Sequence, residues 1–514
     1  MTPEEELLDA ITYRRRQVRD NPAWNSGPDR IYVLLRTATR LRAMEITAGL
    51  DTDVPWESVL AQLISWHHEL PFGDDECSEK AALEIALAAA DISRLASLET
   101  SIRAGAYEVR RSRNIFRVRH RWDPAVEVAD IHLERRATPR AVPDPSEIEL
   151  RWISTRPVDS RGGPPIEVLA AAVERAAAEI AAYRQAVPEG HLPDSFALGD
   201  GLTVGGMARV MAVLMGLASL CEHTAIRLSR LESTLAHMPL ARLHAVLAEL
   251  CPTVPEEQRI LTVERLIFRP GRSSRTSPLV QHGEQIILCP PLLTPRTIDP
   301  IVLRSAASDF RRFGPVGREL GERAVAWTEW LGGVPGALVA DQVPAYRTDG
   351  KLAGDLDVIA VDPVRRVGLC VEIKWPIDAV TSTEVVKIEN WATSAARQLD
   401  RLRGELRSNM ATVDLPVGWP PFDGIDWTWC VGTPQQLCLR PLPVPDMFST
   451  SLRYLHGLGR PSALPQVVDI LRKPVLPSEG VHFQITRKTI RIGPRLVHLD
   501  TIGMSPYQWQ PRFR

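Results

Sequence analysis

The sequence predicts an α/β fold preceded by a mainly helical N-terminal half, and three observations carry that expectation. Apolar residues recur at three- and four-residue spacing through the first hundred positions, the pattern of helices that bury one face. Near Pro252 the texture shifts to short β-type runs. Within the second half, "DVIAVD" and "VGLCVEIKW" are strand-like runs joined by "PVRR" and followed by a long helical stretch, "STEVVKIENWATSAARQLDRLRGEL".

Taken in order, residues 1–136 hold helices in "PEEELLDAITYRRRQV", "DRIYVLLRTATRLRAMEITAGL", "PWESVLAQLISWHHEL" and "SEKAALEIALAAADISRLASLETSIRAG". Acidic residues near several starts favour the helix dipole. His67 and His68 have no second ligand pair after them and are expected to be surface or half-buried residues. "YEVRRSRNIFRVRHRW" (Tyr107 to Trp122) reads as a strand pair. As one continuous strand it would set Arg111, Arg113, Arg117, Arg119 and Arg121 on one face, a basic ribbon suited to phosphate. Asp123, Glu127, Asp130 and Glu134 follow closely, so neutralisation within the domain is the competing reading.

Residues 137–165, rich in Pro, Arg and Ser, read as a linker or long loop. A second helical block spans 166–252; its "GDGLTVGG" lacks the lysine and Ser/Thr of a P-loop and reads as a loop leading into a helix. Residues 253–313 contain β-type runs in "QRILTVERLIFRP" and "PLVQHGEQIILCPPLL", the second turning at His282-Gly283-Glu284, and then a helix. Leu279 to Phe313 are expected to pack as an extension on the sheet that follows. Residues 314–440 form an α/β core, and 441–514 a Pro-rich C-terminal section that ends in a hairpin, "VHFQITRKTIRIGPRLVHLD".

Composition narrows the function. At 514 residues, 44% apolar and 24% charged, the chain has the make-up of two to four globular domains. Its net charge of −2 gives no global attraction to nucleic acid or acidic lipid, so a polyanion site must be a local patch. The acidic start "MTPEEELLDA" carries no targeting signal, and the apolar stretch Val210 to Cys221 is short for a bilayer. The expectation is a cytoplasmic protein with no membrane partner. Seven cysteines without a Cys-x-x-Cys pair argue against a disulfide framework or structural zinc. Cys221, Cys289, Cys370 and Cys430 read as small core residues.

The chemistry gathers in "GDLDVIAVDPVRRVGLCVEIKW". If Pro363 to Arg366 form the turn, Asp362 pairs with Val367, which sets Asp357 opposite Glu372 and Asp355 opposite Lys374. Directly opposed residues share a face with Cβ atoms about 4.5–5.5 Å apart. Two carboxylates that close repel unless positive charge lies between them. A hard divalent cation resolves the conflict, and Lys374 is placed to act on a water or a phosphate. A surface strand pair with cross-strand ion pairing is the simpler alternative, and it accounts poorly for polar residues set among "VIAV" and "GLCV".

At these residues the chain resembles the PD-(D/E)xK, restriction-endonuclease-like nuclease superfamily. Asp357, Glu372-Ile373-Lys374 and the separation between them match its core motif. "GDLDVIAVD" looks like the form found in nuclease-related, Mrr-like branches, with Leu356 in place of the proline of the name. The resemblance covers Pro315 to Thr433. It implies a central mixed sheet flanked by helices in α-β-β-β-α-β order, and Mg²⁺ or Mn²⁺ held by Asp357, Glu372 and the backbone carbonyl of Ile373. It also implies Lys374 acting on the attacking water and a helix glutamate near the cation, Glu322 first and Glu319 second. Gln398 resembles a glutamine placed beside the scissile phosphate or a base, and Lys387 and Arg397 are weaker backbone contacts.

The function so implied is a metal-dependent nuclease that hydrolyses DNA, in bacterial defence or DNA processing, with RNA left open. The alternative is a weakly active or inactive nuclease-fold module that binds nucleic acid or a partner. The helical half is the expected site of a protein partner, and a homodimer stays open.

Overall fold

The structure is a computed structural model describing residues 1–49, 54–137, 145–155, 164–186, 192–227, 235–270, 276–293, 298–306, 324–376, 379, 382–435, 437–507 and 509–513. It is a mixed α/β molecule with several sheets and a helical N-terminal region.

The first helices follow the apolar spacing: α1 (Pro3–Arg19), α2 (Arg30–Thr47), α3 (Trp56–Glu69) and α4 (Glu79–Arg103). Thr2 and Glu5 close a capping box on α1, and Ser78 caps α4. Arg30 lies only 1% exposed in this core. Its guanidinium donates to the carbonyls of Trp24, Ser26, His67, Leu70 and Pro71, so no carboxylate is needed to satisfy it. His67, expected at the surface or half-buried, is buried, with Nδ1 3.4 Å from Arg30 Nε. Burial, then the neighbouring cationic groups, push its pKa down to about 3.

The basic stretch folds as a hairpin, β1 (Tyr107–Ser112) and β2 (Ile115–His120), with Arg113 at the turn at φ 53°. The single continuous strand is therefore not formed. Arg111 and Arg121 pair instead with Glu6 and Glu4 of α1. Helix α5 (Pro124–Ala137) follows.

Residues 137–165 are not a plain linker, because α6 (Glu147–Thr155) lies within them. The second block is built on α7 (Ile166–Ala186) and α8 (Val204–Arg227), the latter reached through the short ladder β3 (Ala197–Gly199) and β4 (Leu202–Thr203). Helix α8 is long and apolar enough to cross a membrane by composition, more so than the stretch Val210 to Cys221 suggested, and most of it is buried among its neighbours. A helix apolar all round is the expected centre of such a core.

After β5 (Ala236–Pro239) and α9 (Leu240–Leu250), "QRILTVERL" forms α10 (Glu256–Leu266) rather than a strand. Pro255 and the acids Glu256 and Glu257 start the helix, while Thr262, Val263 and Leu266 fill its inner face. The hairpin at Gly283 forms as read, from β6 (Leu279–His282) and β7 (Gln285–Leu288) in the order β5-β7-β6. Of the stretch Leu279 to Phe313, this hairpin and α11 (Ile298–Ala306) are described and pack into the cores of the two helical blocks, not on the later sheet; residues 294–297 and 307–313 lie outside the described residues.

The second half holds α12 (Val325–Gly332), β8 (Leu338–Arg347), β9 (Leu352–Asp362), β10 (Val367–Ile373), α13 (Ser382–Arg407), β11 (Ala411–Val413) and β12 (Asp426–Thr433). β13 (Met447–Ser451), from the Pro-rich section, completes a six-stranded sheet in the order β11-β8-β9-β10-β12-β13. The sheet is mixed: β9 runs antiparallel to its neighbours β8 and β10, while β10, β12 and β13 run parallel. The parallel step needs a crossover, which α13 supplies. One face packs α13; the other packs α12, α14 (Leu452–Leu458) and α15 (Leu464–Arg472).

The final hairpin, β14 (Phe483–Ile492) and β15 (Arg495–Met504), forms as expected but returns to the N-terminal region. There β15 pairs parallel with β2, giving the sheet β1-β2-β15-β14.

Candidate active site

The expected register holds from Asp362 opposite Val367 to Val358 opposite Val371. Beyond it the Asp357 carboxylate replaces a ladder partner: Oδ2 accepts the backbone N–H of Ile373 at 2.6 Å. Glu372 sits at the end of β10, and the N–H of Lys374 donates to the Gly432 carbonyl of β12 at 2.9 Å. Lys374 Nζ lies 2.7 Å from Glu372 Oε1. Asp355 is exposed but close enough to act electrostatically on both carboxylates. The four polar groups thus converge at one end of the hairpin.

A break in the pleat lies here. In β8, Gln342 has a left-handed backbone, φ 48°, and the β8–β9 pairing passes from Asp341 opposite Val358 to Val343 opposite Leu356. Leu356 and Ile359 both pack toward α13, as do Ala340 and Val343. Positions three apart belong on opposite faces of a regular strand, so alternation reverses at Asp357 and at Gln342. Nothing in the reading of the sequence anticipated Gln342. The signal for it is Pro344, a residue that cannot donate to a ladder and marks irregular strands.

Burial raises both carboxyls of this pair, as it also does those of Glu127, Asp130, Glu179 and Glu389 elsewhere in the fold. Burial raises the Asp357 carboxyl above its ordinary range, Asp355 raises it further, and the Ile373 N–H and Lys374 oppose the rise. Glu372 is only 3% exposed. Burial and then Asp357 push it up, against the ammonium of Lys374. Two half-compensated carboxylates side by side are what a divalent cation would relieve. The donor set fits Mg²⁺ held by one or two carboxylates with waters completing its sphere. Among the described residues no group of three or more His, Cys, Asp or Glu side chains is arranged to hold a metal. Glu322 and Glu319 lie outside the described residues.

Gln398, Lys387 and Arg397 are exposed on α13 and make no hydrogen bond to Asp357, Glu372 or Lys374. Beside the site, Gly432 admits the Trp327 ring of α12, since a Cβ there would come within 2.7 Å of that ring and of the Val371 side chain. Trp375, directly after Lys374, packs against both the second helical block and the α12 face of the sheet. The cysteines Cys289, Cys370 and Cys430 are buried as expected, while Cys221 is half-buried. No protein-family model, curated protein or solved structure matches this chain.

Proposed function

We propose that the chain is a Mg²⁺- or Mn²⁺-dependent nuclease that hydrolyses phosphodiester bonds in DNA. The observation that carries the reading is the convergence of Asp357, Glu372 and Lys374 at the splayed end of β9 and β10. The order α12, β8, β9, β10, α13, β11, β12 along the chain supports it, with the short β11 as an addition to the α-β-β-β-α-β nuclease pattern. In this reading Asp357 and Glu372 hold the cation, with the Ile373 carbonyl and Glu322 as further donors. A bound divalent cation would supply positive charge to the scissile phosphate.

The chain's own groups do the rest. The Ile373 N–H fixes the Asp357 carboxylate. Lys374, a third exposed on its flexible stem, exchanges its contact with Glu372 for the attacking water or a phosphate oxygen. Gln398 enters only as a contact to bound DNA. A protein partner on the helical half, a homodimer, and a cytoplasmic role in defence or DNA processing belong to the same proposal; they rest on fold-level resemblance.

A second reading, an inactive nuclease-fold module that binds nucleic acid, is favoured by one observation: Lys374 already neutralises Glu372. Cleavage of linear, supercoiled and single-stranded DNA and of RNA, with Mg²⁺, Mn²⁺ or EDTA, separates the two. Metal-dependent products that vanish in Asp357→Ala and Lys374→Ala support the enzyme. A folded wild type that cuts nothing under any condition, and whose Mn²⁺ binding by calorimetry matches that of Asp357→Ala, overturns it.

A further inference from the structure

The sheet β1-β2-β15-β14 has one face built for the protein and one that is not. Val109, Phe116, Val118, Ile492 and Val497 point into the N-terminal core. Alternation sends Arg110, Arg117, Arg119, Arg487 and Arg491 to the other side, and all five are exposed. Pairing aligns them across strands: Arg110 opposite Arg117, Arg117 opposite His498, and His498 opposite Thr489. Near the Phe483 end this face is covered by Ala125 and Val128 of α5, so the arginine end is the open part.

Its charge is poorly compensated. Glu108 lies 2.8 Å from Arg110 and Asp500 lies 3.9 Å from Arg487. Arg117, Arg119 and Arg491 form no ion pair among the described residues. In a chain of net charge −2 this is a local basic patch. Four strands span about 14 Å, and arginines two apart on a strand stand about 7 Å apart. DNA carries one phosphate per about 3.4 Å of each strand, so such a face meets several phosphates at once. Among the described residues no Phe, Tyr or Trp stands on the open part, whereas surfaces for single strands stack bases on aromatic rings.

We propose that this face is a docking surface for the phosphate backbone of duplex DNA, separate from the Asp357–Glu372 site. The choice of DNA as the polymer rests on the nuclease reading; the surface itself does not. It exists only because residues near 117 and near 498 are brought together by the fold.

The test is fluorescence anisotropy of a labelled 30-base-pair DNA duplex, titrated in EDTA across a salt series. Arg117→Glu/Arg119→Glu/Arg491→Glu is compared with a control of equal charge change at exposed sites elsewhere, Arg40→Glu/Lys80→Glu/Arg242→Glu. The triple variant is expected to bind at least about tenfold more weakly, with a log–log salt slope shallower by about 2 to 3. The control is expected to keep wild-type affinity, and a single strand of the same length to bind less well than duplex. Arg→Gln at the same three positions provides the comparison if charge reversal disturbs folding by circular dichroism. Equal losses in triple variant and control overturn the surface. Preference for single-stranded DNA or for duplex RNA overturns its assignment to duplex DNA. Because EDTA removes the cation, a nuclease reading that fails leaves this result standing, and an intact nuclease with unchanged duplex binding sinks the surface alone.

Discussion

Two buried glutamates, Glu149 of α6 and Glu372 of β10, meet the same desolvation in opposite ways. Glu149 is 0% exposed. It accepts the Ser146 N–H and hydroxyl at 2.8 Å each and Arg175 Nη2 at 2.8 Å. Burial alone would raise its pKa, but these bonds outweigh burial and hold the carboxyl below its ordinary value. Glu372, with 3% exposure, has one ammonium partner and another carboxylate beside it, and its pKa is raised. A buried charge kept for structure is saturated with donors. One left short of them, next to a like charge, costs stability, and a group so placed in a cleft is a candidate for function.

The sharpest way to break this comparison is cleavage. Glu372→Gln is expected to lower the metal-dependent rate by at least about 10³-fold, while Glu149→Gln leaves it within about twofold of wild type. Equal losses in gel-based cleavage assays would make Glu372 another structural acid.

Stability should order the pair the other way. Removing one partner of a buried ion pair costs about 3 kcal/mol, so Glu149→Gln is expected to lower the urea midpoint clearly at pH 7. Glu372→Gln is expected to raise stability by on the order of 1 kcal/mol in EDTA. The pH dependence follows from the signs. Glu149 has a depressed folded pKa, so its contribution is present above the unfolded value, about 4.3, and is lost as pH falls through the folded one. Glu372 has a raised folded pKa, so its ionisation opposes folding at neutral pH and that penalty disappears as pH falls through the raised value. The deficit of Glu149→Gln should therefore shrink only below about pH 4.3, and the advantage of Glu372→Gln should already shrink above it. The acid limb of cleavage, read as rate against pH at limiting Mn²⁺, should lie above the ordinary carboxylate range because Asp357 and Glu372 are both raised.

The same pair measures what a sequence can disclose. The strands carrying Asp357 and Glu372 were legible because Pro363 to Arg366 punctuate two apolar runs, and a short turn fixes register. The saturation of Glu149 was not: Arg175 lies on another helix, and the Pro-rich composition of residues 137–165 hid α6. The local clue was Ser146 three residues before Glu149, a capping box. In "QRILTVERL", β-branched residues outweighed the acidic start that makes α10 a helix. The partner of the C-terminal hairpin was beyond any local signal, since β15 reaches back to β2 across most of the chain.

Packing beside the site gives a smaller effect. Gly432→Ala would press a methyl group against Trp327 and Val371, and overpacking of this kind costs about 1–3 kcal/mol. Because Gly432 also receives the Lys374 N–H, the variant is expected to unfold at lower urea and to cleave more slowly. Loss of stability at an unchanged rate would show that the β12 edge does not position Lys374.

The smallest expected effect bears on why Asp357 can leave the ladder at all. Gln342 holds a left-handed backbone at the break opposite Asp357, a conformation that costs a non-glycine residue about 1–2 kcal/mol. Gln342→Gly relieves that cost and loosens the unfolded chain, two effects of opposite sign, so a stability change within about 1 kcal/mol and an unaltered cleavage rate are expected. Gln342→Val disfavours the left-handed conformation and favours a regular pleat, which would return Asp357 to the alternation of its strand and away from the Ile373 N–H. Its cleavage rate should fall several-fold with little change in the urea midpoint. If valine and glycine behaved alike in both assays, the break in β8 would be a feature of packing, and the under-satisfied state of Asp357 and Glu372 would have to be maintained by burial alone.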